Sequence, residues 1–139
     1  MQAAVAAVAA ALVLAGCLTA DQQSVVDQVN ASRSSSRLTA LKADMTAASK
    51  AQKWSQHMAS TGVLEHTGGG TKLDTTGLTN WCAVGENVGK GPSLDRIHAA
   101  FMASPTHKAN ILGSFDRIGT GVYLKDGTYW VTQIFLRSC

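Results

Sequence analysis

The stretch Ile118-Gly119-Thr120-Gly121-Val122-Tyr123-Leu124-Lys125-Asp126-Gly127-Thr128-Tyr129-Trp130-Val131-Thr132-Gln133-Ile134-Phe135-Leu136 decides the fold class. β-Branched and aromatic residues crowd its two halves, and Asp126-Gly127 between them is a pair that accepts positive φ at both central positions of a tight hairpin. Two antiparallel strands follow, Ile118 to Leu124 and Tyr129 to Leu136. Working outward toward the N-terminus, the period changes from two to that of a helix. Ser93 after Pro92 reads as an N-cap for a helix to about Ala103 that buries Leu94, Ile97 and Phe101 before Pro105 stops it. A short helical turn holds His107 to Leu112. A stronger helix runs from the cap Asp44 to about Thr61, with Ala47, Ala51, Trp54 and Met58 on its apolar face and Gly62 where a C-terminal glycine belongs. An earlier helix carries Val25, Val26 and Val29 and fades in Ser32-Arg33-Ser34-Ser35-Ser36, a serine cluster that marks a turn. Gly68-Gly69-Gly70 and the polar run to Asn80 read as a long loop. Helices followed by an antiparallel sheet make the class α+β.

The chain has 139 residues and a formal charge of +3. Lys and Arg are scattered from Arg33 to Arg137 without a cluster, which argues against a nucleic-acid partner. Ala3 to Gly16 is apolar, rich in alanine and free of charge, too short to span a membrane, and reads as an export signal, although Met1-Gln2 carries no Lys or Arg. It ends in Leu14-Ala15-Gly16-Cys17, which resembles the bacterial lipobox, where cleavage leaves Cys17 as a lipidated N-terminus. The expected organisation is a signal over 1–16, a tether over 17–24 and one domain over 25–139, since 139 − 16 = 123 residues suit a single core. With Cys17 acylated, Cys82 and Cys139 remain as an even pair in an oxidising compartment. A disulfide is the economical reading, and isolated thiols are the alternative.

The sequence lacks HExxH, GxSxG and paired CxxC motifs, and the glycines from Gly85 to Gly91 have the wrong spacing before Lys90 for a phosphate loop. What remains is His66 in Leu64-Glu65-His66-Thr67, Glu86 in Gly85-Glu86-Asn87-Val88 and His107 in Ser104-Pro105-Thr106-His107, all read as loop residues. Two imidazoles and a carboxylate suit a divalent metal such as zinc if the fold brings them together. His57 shares a polar helix stripe with Lys50 and Lys53, His98 sits at a helix rim, and Trp130 belongs to a strand. These three read as structural.

Five segments in order then resemble the bacterial branch of the CAP superfamily (cysteine-rich secretory, antigen 5 and pathogenesis-related-1 proteins). They are Met58-Ala59-Ser60-Thr61-Gly62-Val63-Leu64-Glu65-His66, Gly85-Glu86-Asn87-Val88, Phe101-Met102-Ala103-Ser104-Pro105-Thr106-His107-Lys108-Ala109-Asn110-Ile111-Leu112, Ile118 to Val122, and Tyr129 to Phe135. The resemblance covers about Val25 to Phe135 and implies an α-β-α sandwich with a small antiparallel sheet between helices. It also implies a cleft in which two histidines and two acidic residues bind a divalent cation. His66, Glu86 and His107 match three of those positions. The fourth departs, because relatives with Trp-x-x-Glu are answered here by Phe101-Met102-Ala103-Ser104, and serine is a poor ligand; Glu65 is the candidate substitute. Asn87 and Asn110 are expected to fix the loops around the cleft. Together with the export signal, the expected function is an exported module, read as a monomer, that binds an envelope ligand, lipid or protein, with a weak or vestigial metal cleft. A metal-assisted hydrolase with Glu86 as general base and a lipid carrier are the alternatives.

Overall fold

The computed structural model describes residues 16–139. Most of the export signal expected over 1–16 therefore lies outside the described residues. Four helices and four strands follow in the order α1 (Ala20–Ser35), β1 (Lys42–Ala43), α2 (Met45–Thr61), β2 (Ala83–Gly91), α3 (Leu94–Ala103), α4 (Pro105–Ile111), β3 (Arg117–Lys125) and β4 (Thr128–Arg137). The sheet order is β1-β3-β4-β2. All its pairings are antiparallel except β1 with β3, so the sheet is mixed rather than purely antiparallel. The class is α+β as expected, with α2 on one face of the sheet and α1, α3 and α4 on the other.

The face under α2 is defined by glycines. A Cβ on Gly119 would lie 2.2 Å from the Ala47 carbonyl carbon, and one on Gly121 would lie 2.1 Å from the Ala51 carbonyl oxygen. Bare sheet backbone therefore meets bare helix backbone, with Ala47 and Ala51 completely buried between them. Asp44 caps α2 through Oδ1, which accepts from the Ala47 N–H at 2.9 Å, and Gly62 ends it at φ 72°. Both are the residues that the sequence nominates. On the opposite face Val25, Val26, Val29, Ile97, Phe101 and Ile111 pack on Ile118, Val122, Val131 and Phe135. The hairpin turn falls at Asp126 and Gly127, with φ values of 49° and 76°.

Two expectations are corrected here. The tether over 17–24 is not one. Thr19 and Gln22 form a reciprocal capping box that starts α1 at Ala20. Gln22 is buried, its Nε2 donates to the Thr120 carbonyl, and Thr120 Oγ1 donates back to the Gln22 carbonyl. Polar residues suggested a solvated linker, but tertiary hydrogen bonds hold them. Second, Glu86 lies not in a loop but in the nine-residue strand β2, paired with β4 from Ala83↔Arg137 to Gly91↔Tyr129. Glycine disfavours strands, yet Gly85, Gly89 and Gly91 sit where a Cβ would meet Asn110, Phe101 and Ile97 at 2.7, 2.7 and 3.0 Å. Their absent side chains let α3 and α4 approach.

Candidate functional site

The free edge of β2 carries the cleft. Glu86 projects from the strand, His66 comes from the loop after α2, and His107 comes from α4. All three line one open hollow of about 280 Å³ together with Thr71, Leu73 and Asn110. The three sequence candidates therefore meet.

Their chemistry is more constrained than the sequence implied. The Glu86 side chain is 1 % exposed, and both carboxylate oxygens are engaged. Oε1 lies 2.8 Å from His66 Nδ1 and accepts from the Thr67 N–H at 3.0 Å, while Oε2 accepts from Thr67 Oγ1 at 2.8 Å. His107 is oriented separately. Its Nδ1 lies 2.8 Å from Ser104 Oγ, and its ring stacks on Phe101 at 5.0 Å. Burial, followed by the proximity of His66, holds the His107 imidazole below its ordinary value, favouring the neutral ring. Each histidine thus spends Nδ1 on the protein and keeps Nε2 without a protein partner among the described residues.

The donor set does not fit a three-ligand metal centre. Among the described residues, no three His, Cys, Asp or Glu side chains are arranged to hold an ion. Glu86 is drawn toward His66 and Thr67, which fill three of its acceptor positions, and Glu65 turns away: its Oε2 accepts from the Gly70 N–H at 3.1 Å and its carbonyl accepts from Trp54 Nε1 at 2.8 Å. Ser104, which the sequence marks as a missing ligand, orients a ring instead. As built, the cleft presents two open imidazole nitrogens.

The supports are side chains that a motif search undervalues. Trp54 and Lys50 on α2 hold the 62–80 loop, Trp54 through the Glu65 carbonyl and Lys50 Nζ through Asp74 Oδ2 at 2.7 Å. The hydrogen bond from Lys50 holds the exposed Asp74 carboxyl well below its usual range. Thr67 then joins Asp74 to Glu86 by accepting the Asp74 N–H. Only the Thr67 hydroxyl next to His66 hinted at this in the sequence. Asn87 and Asn110 act as expected: Asn110 Nδ2 donates to the Glu86 carbonyl and to Asn87 Oδ1, and Asn87 Nδ2 donates to the His107 carbonyl. His57 is exposed and stacks on Trp54, and Trp130 is buried under the Lys90 ammonium. Cys82 and Cys139 are joined in a disulfide with their Cα atoms 5.0 Å apart, while Cys17 is free and exposed.

The profile of the cysteine-rich secretory protein (CAP) family matches residues 26–135, nearly the whole folded unit. The chain belongs to that family. An uncharacterized relative, YkwD of Bacillus subtilis, is 31% identical over 123 residues, covering 84% of this chain and 47% of its own length. The chain thus spans about half the length of that curated relative. Among solved structures, an extracellular protein with an SCP domain from Bacillus anthracis is 26% identical with a TM-score of 0.70, covering 88% of this chain and 45% of that one. An outer surface protein from Borrelia burgdorferi shares the fold at a TM-score of 0.71 and 19% identity, covering 86% of this chain and 93% of that one.

Proposed function

We propose that this CAP protein is an exported binding module, held at the cell envelope by a lipid on Cys17, whose β2-edge cleft takes up a ligand without cleaving it. One observation carries the reading. Glu86, the buried carboxylate of the cleft, has both oxygens committed to His66 and Thr67, so it does not stand as a free base beside the two imidazoles. A metal-assisted hydrolase with Glu86 as its base needs that carboxylate turned toward a water, and a catalytic zinc site normally has three protein ligands. A divalent ion in this cleft would rest on His66 and His107 alone, which makes its binding weak. The extracellular and outer-surface descriptions of the similar proteins favour export.

Calorimetric titration of the oxidised protein with Zn²⁺, repeated on His66→Ala, His107→Ala and Glu86→Ala, tests the cleft. Weak binding lost in the histidine variants but not in Glu86→Ala, with no turnover of a peptide and ester panel, is expected. Tight stoichiometric binding that needs Glu86, accompanied by hydrolysis lost in the same variant, would sink the proposal in favour of a hydrolase. Membrane fractionation of Cys17→Ser tests the anchor, since the variant should leave the membrane fraction.

A further inference from the structure

We infer that the hairpin end of the sandwich, which carries Leu124 and Tyr129 and toward which Cys17 and Leu18 point, is a membrane-facing surface that seats the domain directly on a lipid bilayer. The inference rests on the anchoring through Cys17 proposed above. A flexible tether of eight residues would let the domain wander about 15 Å from its attachment point. The structure has no such tether: a single residue, Leu18, separates Cys17 from the N-cap Thr19, and Leu18 is itself partly buried against the core. An acyl chain on Cys17 therefore pulls on the folded body itself.

The direction of α1 says which end is pulled down. Its first turn is bonded to the middle of β3 through Gln22 and Thr120. Farther along, Asn30 bonds the backbone of Leu41, next to the β1 residue paired with Arg117, and Arg33 bonds the carbonyls of Ile111 and Gly113. The helix thus runs toward the Arg117 end of β3, and its N-terminus points toward the hairpin. On β3 the residues facing α1 are Ile118, Thr120, Val122 and Leu124, by strand alternation. Val122 is buried, but at Leu124 the helix has ended. Leu124 is 52% exposed, the most open large apolar side chain among the described residues. Its cross-strand partner is Tyr129, partly buried on the same face. The lipid attachment point and the most exposed leucine thus share one end of the molecule, on the order of 10 Å apart by helix and strand rise. A bilayer is the occupant that both features accept.

The orientation gives the cleft a defined height. Gly91 is level with Tyr129 and Glu86 lies five residues back along β2, so the cleft stands about 17 Å above the hairpin end and opens sideways from the sheet edge. Its ligands would be met in the layer just above the headgroups.

The acylated full chain, recovered from membranes and reconstituted in phosphatidylethanolamine and phosphatidylglycerol vesicles carrying headgroup spin labels, tests this. An environment-sensitive fluorophore is placed on Leu124→Cys or, at the disulfide end, on Thr79→Cys; Cys17 is acylated and Cys82 is bonded to Cys139, so only the new thiol reacts. Leu124 is exposed enough for its replacement to leave the fold intact, which thermal melting verifies. Blue-shifted emission with several-fold stronger quenching at position 124 than at 79 is the expected result. Equally weak quenching at both sites, with the protein still sedimenting with the vesicles, overturns the seated orientation while leaving the anchor standing. Full membrane recovery of Cys17→Ser overturns the anchor and the orientation together.

Discussion

Gly121→Ala sets two opposed effects against each other. Replacing glycine by alanine restricts the unfolded chain and by itself stabilises by about 0.4–1 kcal/mol. At this position the new methyl would stand 2.1 Å from the Ala51 carbonyl oxygen and 2.4 Å from the Gln52 nitrogen, both helix backbone that no rotamer change can move. Relief requires α2 to lift by about 1 Å, which loosens Ala47 and Ala51 against Ile134 and Leu136. Overpacking of this kind costs typically about 1–3 kcal/mol, and a rigid obstacle puts it at the upper end. The net is a loss of about 2 kcal/mol, or roughly 5–10 °C in melting temperature for a domain of this size. Thermal and urea unfolding followed by circular dichroism measure it, with the exposed helix substitution Ser49→Ala as a control that leaves stability unchanged or slightly raised. A Gly121→Ala protein as stable as the parent would refute the claim that backbone contact sets the spacing of α2 and the sheet.

Cys82→Ser with Cys139→Ser removes a link between residues 57 apart in sequence, and chain-entropy reasoning assigns about 4 kcal/mol to such a loop. Urea unfolding of the double variant should show most of that loss, and a change below about 1 kcal/mol would mean that the sheet holds both ends unaided. Burial, partly opposed by Asp95, lowers the His98 pKa in the folded state from 6.5, and its Nδ1 has no partner among the described residues. The unfolded chain then binds the proton more readily, so stability is fully present above the unfolded value and falls as pH drops through it toward the lower folded value. His107 adds in the same direction. Urea midpoints between pH 7.5 and 5.5 should fall less in His98→Gln than in the parent, and identical slopes would exclude His98 as a contributor.

The bounds of α2 and α3 were legible to the residue because local chemistry writes them. Asp44 and Ser93 accept hydrogen bonds from the N–H groups three residues on, and Gly62 takes the left-handed conformation that a side chain resists. The hairpin was equally plain in Asp126-Gly127. By contrast, β2 was hidden because Gly85, Gly89 and Gly91 serve neighbours distant in sequence. The first turn of α1 was hidden because Gln22 looks like linker until Thr120 lies beside it. At the cleft, the ordered segments identified His66, Glu86 and His107, but no spacing rule says that Thr67 occupies Glu86 or that Ser104 orients His107.

The sequence by itself therefore determined the class of fold, the caps and turns, the CAP family and the residues of the cleft, since each is encoded in neighbours or in short ordered segments. Tertiary structure alone decided which of those residues are free to act. It placed Glu86 on an edge strand where a histidine and a threonine bond both its oxygens, and it left the Nε2 atoms of His66 and His107 without protein partners among the described residues. It also replaced the expected tether with a capped helix that begins three residues after Cys17. The physical reason is the same in each case: a polar group's availability depends on which partners packing brings within hydrogen-bonding distance, and those partners are scattered along the chain.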